Sequence, residues 1–215
     1  MASAHDATLL LAGAAGAMTC LWLRERYWNT PNPPKTAAFA AAGNAGAGSV
    51  LAGNVTVTLR EATRADIPNL RRLEQGVVAA ERPFCTTIRP YDEAQPVIYY
   101  DLEHLIDNDQ SRLLVAEHEE TVVATAYLTI RESKPCQTHS QHGYLGFMFV
   151  ARILRGKGLN RLIMESLIEW GQGQGVEHFY LDVYSNNDPA VRAYEKAGFS
   201  NLLYEMHAHL PLGAP

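Results

Sequence analysis

The stretch FVARILRGKGLNRLIMESLIEW, residues 149–170, decides the fold because it joins an apolar strand to an amphipathic helix. Arg155, Gly156, Lys157 and Gly158 stand at the junction. The first turn of a helix carries unpaired N–H groups with partial positive charge, and glycines let an anion approach the backbone closely. Two cations add formal charge beside these groups. The junction therefore predicts a binding site for a phosphate or a pyrophosphate.

Two familiar phosphate motifs do not match this chain. A P-loop requires a Ser or Thr after its lysine, whereas Lys157 is followed by Gly158. The three glycines of GQGQG, residues 171–175, follow a helix instead of opening one. They indicate a helix end and a turn, not a dinucleotide-binding fingerprint.

Outward from the junction, the hydrophobic pattern predicts strands and helices along the rest of the chain. Strand patterns occupy residues 55–62, 112–118, 121–133, 143–150, 178–185 and 203–210. Helical patterns occupy residues 63–81, 99–106, 158–172 and 188–198. The early strands are linked by short turns, which favours antiparallel pairing. The sequence therefore predicts an α/β (α+β) protein with a mixed, mostly antiparallel sheet.

Composition and charge exclude several kinds of function. At 47% hydrophobic and 19% charged residues, the chain of 215 residues is globular in class. A net charge of −5 argues against nucleic acid as a partner, because such contact usually needs a basic face. The three cysteines form no CxxC pair, and the pairs His139/His142 and His207/His209 have no third ligand at a recognisable spacing. We therefore expect neither a disulfide framework nor a metal site.

The first 54 residues differ in composition from the rest. Residues 1–30 contain the uncharged run Ala7–Leu23, followed by arginines and aromatic residues, as is typical of a helix at a membrane interface. A helix embedded in a partner protein and a cleaved leader are the alternatives. Residues 31–54, rich in Pro, Ala and Gly, are predicted to be a linker, which leaves residues 55–215 as the folded domain. The positive-inside rule places the domain on a cytoplasmic or organellar-matrix side.

Two motifs resemble those of the GNAT superfamily of acyl-CoA-dependent N-acetyltransferases, in particular its bacterial-type generic branch. Arg155-x-x-Gly158-x-Asn160 is similar to the pyrophosphate loop of the family, with Asn160 where the family usually has Gly or Ala. NDPAVRAYEKAGF, residues 187–199, resembles the second signature of the family. The resemblance spans about residues 55–210. It implies the GNAT fold, a central twisted sheet flanked by helices and splayed between the fourth and fifth predicted strands, where acetyl-CoA enters.

The resemblance also implies a reaction and its residues. An acetyl group would pass from acetyl-CoA to a primary amine of a small molecule or peptide, by direct attack in a ternary complex. Tyr194 would protonate the departing thiolate, Asn187 would contact the cofactor near its reactive end, and the N–H of Phe149 would bind the oxyanion. The other implied cofactor-binding residues lie on the fourth strand and the phosphate loop: Met148, Val150, Arg155, Gly156, Lys157, Gly158, Leu159 and Asn160.

The acceptor side of the site has several candidates. The residues considered as general base are Glu132, His142, Tyr144 and Asp182, which lie on strands near the expected cleft. Strand alternation puts His142 and Tyr144 on one face, so these two are preferred as catalytic residues. A further group is interpreted either as an acidic, aromatic wall for a cationic amine or as an ordinary solvated helix face: Tyr99, Tyr100, Asp101 and Glu103.

Two other functions stay open on the sequence. The unusual first 54 residues favour a catalytically idle GNAT-fold subunit of a larger membrane-associated or organellar assembly, held there through those residues. A regulatory acyl-CoA sensor is the third hypothesis, and it predicts binding without turnover.

Overall fold

The computed structural model describes residues 48–89 and 97–210. Its strands form one six-stranded sheet in chain order. They are β1 (Gly48–Ala52), β2 (Val55–Glu61), β3 (Ser111–His118), β4 (Thr121–Glu132), β5 (Gln141–Val150) and β6 (Phe179–Leu181). The helices are α1 (Ile67–Glu81), α2 (Leu102–Asp107), α3 (Leu159–Gly173) and α4 (Asp188–Lys196). The first five strands pair antiparallel and β5 pairs parallel with β6, which confirms the predicted α/β class and mixed sheet.

The sheet opens between β5 and β6. These strands pair only from Gly143 with Phe179 to Leu145 with Leu181. Beyond that point β6 ends, whereas β5 continues to Val150. Residues 146–150 therefore have no partner on this edge within the part of the chain that the structure describes. This opening is the splay expected between the fourth and fifth predicted strands.

Helices cover both faces of the sheet, each over its own apolar cluster. The helix α3 buries Leu159, Ile163 and Leu167 on one face. The helices α1 and α2 bury the other cluster, which includes Leu70, Leu73, Leu102 and Leu105. Burial of apolar side chains on both faces fixes the strand register, because a slip of one residue would turn every side chain to the wrong face.

The predicted boundary between linker and domain is wrong by one strand. Gly48–Ala52, assigned to the linker from composition, forms β1 and pairs along its whole length with β2. Its turn needs Gly53, whose φ of 63° lies in the left-handed region. A short strand rich in small residues shows little hydrophobic alternation in its sequence. Here the pairing with β2 determines its extended conformation.

The predicted last strand, residues 203–210, does not form. Residues 201–210 have no regular structure, and Leu203, Met206 and Leu210 are 83% exposed or more. β6 is likewise shorter than the predicted strand of residues 178–185. The alternating pattern of residues 203–210 suits a half-buried strand, but no strand of the described ranges pairs with it.

The N-terminal predictions lie outside the described residues. They concern the apolar helix of residues 1–30 with its membrane or partner contact, and residues 31–47 of the linker. In the ranges 48–89 and 97–210, no helix is long and apolar enough to cross a membrane.

The start of α1 is held by a partly buried ion cluster. Arg60 donates to both carboxylate oxygens of Asp66, at 2.8 Å each, and to Glu117 at 2.8 Å. Asp66 also accepts the N–H of Thr63 at 2.8 Å. Chiefly because of the hydrogen bond from Arg60, the pKa of Asp66 is lowered from 3.8 to about 2.

Asp66→Asn is expected to destabilise the protein at pH 5 and much less at pH 2. The folded-state pKa of Asp66 is depressed, so its stabilisation is present above pH 4 and is lost as the pH falls through 2. The shift from 3.8 to about 2 corresponds to about 2 kcal/mol. Urea unfolding of both proteins at several pH values measures the difference. A difference that does not change with pH would contradict the assignment.

Candidate functional site

The unpaired edge of β5 contains a bulge. Thr125 of β4 pairs with Phe149, whereas Tyr127 pairs with Gly146, so Phe147 and Met148 together oppose one residue of β4. Phe147 has a φ of 52°, which is unusual for a bulky residue and typical of functional sites.

The direction of the backbone groups after the bulge follows from one hydrogen bond. Ala151 donates its N–H to Val123 of β4 at 2.8 Å. Successive residues of a strand point their backbone groups to opposite edges, so Phe149 also faces β4, whereas Met148 and Val150 face the open edge. The sequence interpretation gave the oxyanion-binding N–H to Phe149. The strand geometry turns the N–H of Phe149 toward β4, so the N–H groups that face the open edge are those of Met148 and Val150.

The predicted phosphate loop lies at the end of β5 and opens α3. Gly156 and Gly158 have φ values of 74° and 82°, and a Cβ built on either would meet nothing within 4 Å. Gly158 is the N-cap of α3, so the first N–H groups of this helix have no acceptor within it. Arg155 donates Nε–H to the carbonyl of Val150 at 2.9 Å, which ties the loop to the open edge of β5. An open cradle with free N–H groups fits a pyrophosphate.

Tyr194 reaches the same edge of β5 from α4. Its hydroxyl donates to the sulfur of Met148 at 3.3 Å. Burial, and next the charge of Glu81, raise the pKa of Tyr194 to about 12. The hydroxyl is therefore protonated at neutral pH and is placed to donate to a sulfur atom at the opening of the sheet. Asn187 caps α4 by accepting the N–H of Ala190 at 3.4 Å, two helical turns before Tyr194.

Aromatic side chains pack together between β5 and the helices α1 and α2, on the face of the sheet that these helices cover. Tyr100 stacks on Phe147 with ring centroids 4.3 Å apart, and Tyr99 lies 4.6 Å from Tyr100. Tyr144 donates its hydroxyl to Asp182 at 2.6 Å. Burial raises the pKa of Tyr100 and of Tyr144, so both side chains stay neutral at physiological pH.

The acidic residues beside these rings differ from the predicted ones. Asp101 caps α2 by accepting the N–H of His104 at 3.0 Å, and Glu103 pairs with Arg71 at 3.4 Å. Both are therefore engaged in structural contacts. The carboxylates that influence Tyr99 are instead those of Glu81 and Asp182, which raise its pKa after the effect of burial.

Glu81 is a carboxylate near these rings that the sequence analysis did not consider. It is the last residue of α1 and follows Val77 by four positions and Val78 by three, so it lies on the same buried face of the helix. Burial raises its pKa. Its charge also raises the pKa of Tyr100 and Tyr184. A carboxylate on the apolar face of an amphipathic helix was the signal that could have identified it.

The structure does not bring His142 to Tyr194. His142 Nδ1 lies 2.9 Å from the hydroxyl of Ser133, and its ring packs edge-on against Tyr180 at 4.8 Å. It precedes Met148 by six residues, which is roughly 20 Å along a strand. Glu132 lies still further away, paired with Gln141 at the start of β5.

Within the described ranges, no group of three His, Cys, Asp or Glu side chains could hold a metal ion.

The profile of the Acetyltransferase (GNAT) family matches residues 78–199, more than half of the chain, and the chain belongs to this family. The two signature motifs, residues 155–160 and 187–199, lie beside the opening between β5 and β6.

Two curated relatives match shorter parts of the chain. The Uncharacterized N-acetyltransferase YobR of Bacillus subtilis (strain 168) is 39% identical over 59 residues, which are 27% of this chain and 24% of the relative. Streptothricin acetyltransferase of Streptomyces lavendulae is 37% identical over 46 residues, which are 21% of this chain and 24% of the relative. The chain thus spans about a quarter of the length of these relatives.

Solved structures share the fold over most of the domain. The tetramutant of the BH1408 protein from Bacillus halodurans has a TM-score of 0.62 and 27% identity, covering 71% of this chain and 99% of its own. A predicted acetyltransferase with acetyl-CoA from Clostridium acetobutylicum has a TM-score of 0.58 and 19% identity, covering 71% of this chain and 96% of its own. The second likeness concerns the fold alone. The expected GNAT fold is confirmed.

Proposed function

We propose that the protein transfers an acetyl group from acetyl-CoA to a primary amine of a small molecule or peptide. The observation that carries this proposal is the open edge of β5, residues 146–150, which has a proton donor beside it and a glycine loop at its end. Tyr194 contacts Met148 on this edge, and Arg155 is bonded to Val150. The solved neighbour from Clostridium acetobutylicum contains acetyl-CoA, which supports the choice of cosubstrate.

Each part of the edge has a distinct role in the proposed reaction. Acetyl-CoA, when bound, supplies the acetyl group as a reactive thioester. The amides of residues 156–160, with the side chains of Arg155 and Lys157, hold the pyrophosphate. The backbone groups of Val150 pair with the pantetheine arm in the manner of an added strand. The N–H of Met148 donates to the carbonyl oxygen, and Tyr194 donates a proton to the sulfur as the thiolate departs.

The aromatic and acidic part of the opening suits a cationic amine. The neutral ring of Tyr99 is 52% exposed and attracts an ammonium group, and the carboxylates of Glu81 and Asp182 add negative charge. The ring of Tyr144 already has the guanidinium of Arg131 on its face, 3.7 Å from the ring centroid.

An ammonium must lose a proton before it can attack a thioester. We assign this proton to Glu81, directly or through water, because its charge is close enough to raise the pKa of Tyr99 and Tyr194 and because burial raises its own pKa. Asp182 is engaged with Tyr144 and orients that ring.

Glu81→Gln is expected to lower kcat/KM for the amine by about 10²-fold, the usual contribution of a general base. In the wild type, kcat/KM should rise with pH through a midpoint above 4.5, the ordinary value for a glutamate, since the deprotonated form is the active one. The variant should lack this acidic limb. Values of kcat/KM between pH 5 and 9 measure both effects. If kcat/KM of the variant rises with pH as in the wild type, a residue other than Glu81 is the general base.

The cofactor site is tested by calorimetry of CoA with the full chain. Gly158→Trp is expected to weaken binding by more than about tenfold, because the ring fills the cradle at the first turn of α3. Gly175→Trp is the matched control, since Gly175 also has a φ of 82° and open space around its Cβ position. Equal loss in both variants would show a general effect of the substitution. A folded wild type that binds no CoA would contradict the proposed function.

The same experiment separates the other hypotheses. CoA binding together with acetylation of at least one cationic amine, such as spermidine or kanamycin, supports the enzyme. CoA binding without turnover on a broad amine panel would favour the acyl-CoA sensor. A folded protein that neither binds nor turns over would favour the idle subunit.

A further inference from the structure

The hairpin of β1 and β2 lies against the phosphate loop. A Cβ built on Gly53, in the turn of this hairpin, would lie 3.4 Å from Cβ of Lys157, 3.5 Å from Cγ and 3.7 Å from Cδ. The aliphatic stem of Lys157 therefore runs along the turn, over a position that carries no side chain. A Cβ at position 53 would be in van der Waals contact with this stem, so the atoms of a longer side chain would compete with the stem for the same space.

The hairpin and the loop are also joined through the core. Ala52 is fully buried and belongs to the same apolar cluster as Leu154 and Leu159, which flank the loop on either side. The register of β1 with β2, from Gly48 with Leu59 to Ala52 with Val55, fixes the turn relative to the sheet. The position of the hairpin turn relative to Lys157 is thus set by buried contacts.

The ammonium group of Lys157 is available for an anion. Of the residues that the structure describes, no carboxylate lies within 4 Å of it. A long side chain whose stem is already restricted loses less conformational freedom when its end group binds. Contact with Gly53 therefore prepares Lys157 for a ligand without occupying its charge.

We propose that the β1–β2 hairpin is part of the CoA-binding site, with Gly53 as a positioning residue that acts through Lys157 on the phosphate groups of CoA. This inference rests on the proposed function, since it assumes that the loop holds CoA. It also assigns a role in cofactor binding to a segment that composition alone placed in a linker.

A double-mutant cycle in the full chain, with CoA affinity measured by calorimetry, tests the inference. Asn tolerates a positive φ, so Gly53→Asn adds bulk against Lys157 with little backbone strain. We expect Gly53→Asn to weaken CoA binding about fivefold and Lys157→Met about tenfold, with the double variant no weaker than Lys157→Met within about twofold. Gly175→Asn, the matched control at another positive φ, should bind as the wild type does.

The outcomes separate this inference from the proposed function. Wild-type affinity in Gly53→Asn, or a full additional loss in the double variant, would overturn the inference and leave the proposed function intact. A wild type that binds no CoA would overturn both.

Hydrogen exchange of the wild type gives a second test that requires no variant to fold. CoA should slow exchange in peptides covering residues 50–58 as well as 153–160. Protection of the loop alone would count against a role of the hairpin.

Discussion

Replacing Tyr194 by Phe is expected to lower kcat for acetyl transfer by about 10²-fold, the usual contribution of one general acid, and to leave CoA affinity within about twofold. The substitution removes only the hydroxyl group, which donates a hydrogen bond to the sulfur of Met148 at 3.3 Å. Its pKa of about 12 keeps the hydroxyl protonated at neutral pH, so it can donate a hydrogen bond, and with it the proton, to the departing thiolate. Steady-state rates and CoA calorimetry on both proteins measure the two effects.

Two further variants show whether the loss is specific to the proton. Tyr204→Phe removes the hydroxyl of a tyrosine that is 70% exposed, and it should have no effect on the rate. Met148→Leu removes the sulfur that Tyr194 contacts in the structure but keeps the proton donor, so most of the activity should remain. Comparable rates for Tyr194→Phe and the wild type would mean that water protonates the leaving group.

Glu74→Ala is expected to lower the free energy of unfolding by about 3 kcal/mol, which makes it the most destabilising single change considered for this fold. Glu74 is completely buried, and its Oε1 accepts the backbone N–H groups of Tyr99 and Tyr100 at 2.7 Å each. Its other oxygen pairs with Arg71 at 3.1 Å. Alanine leaves the two N–H groups without their acceptor and removes one of the acceptors of the Arg71 guanidinium, which keeps the carbonyl of Tyr100 and Glu103.

Urea unfolding measures this loss, with Glu169→Ala as the control. Glu169 lies on the exposed face of α3, so the same substitution there should change stability by less than about 0.5 kcal/mol. Because Glu74 also holds Tyr99 and Tyr100 in the opening, the variant should raise KM for the amine more than it weakens CoA binding. Equal stabilities of the two variants would show that the buried carboxylate is not needed.

The features predictable from sequence are those with a strong local signal. The strand-to-helix junction at residues 149–170 combines an apolar run, two glycines at positive φ and a helical period, and it is found as predicted. β2 alternates in hydrophobicity, and the apolar strands β3 and β4 are joined by a two-residue turn. Asn187 and Pro189 mark the start of α4, which the structure confirms.

The features that the sequence missed depend on contacts between distant segments. β1 exists because it pairs with β2, and residues 203–210 lack a partner in the described ranges despite a good alternating pattern. Alternation along β5 put His142 and Tyr144 on one face, but it could not show that the bulge turns the N–H of Phe149 toward β4. Glu81 comes close to Tyr99 and Tyr194 only through the packing of α1 on the sheet.

The bulge at Phe147 divides β5 into two segments. Side chains alternate between the two faces of the sheet in both segments, but the bulge shifts the alternation by one residue. Leu145 and Phe147 are two positions apart, yet they belong to clusters on opposite faces of the sheet. Before the bulge, Tyr144 lines the part proposed for the amine; after it, Met148 and Val150 border the part proposed for CoA. Substitutions in the first segment can thus change acceptor preference during evolution while the second keeps the cofactor. An insertion or deletion of one residue, by contrast, would exchange the two faces and end both functions together.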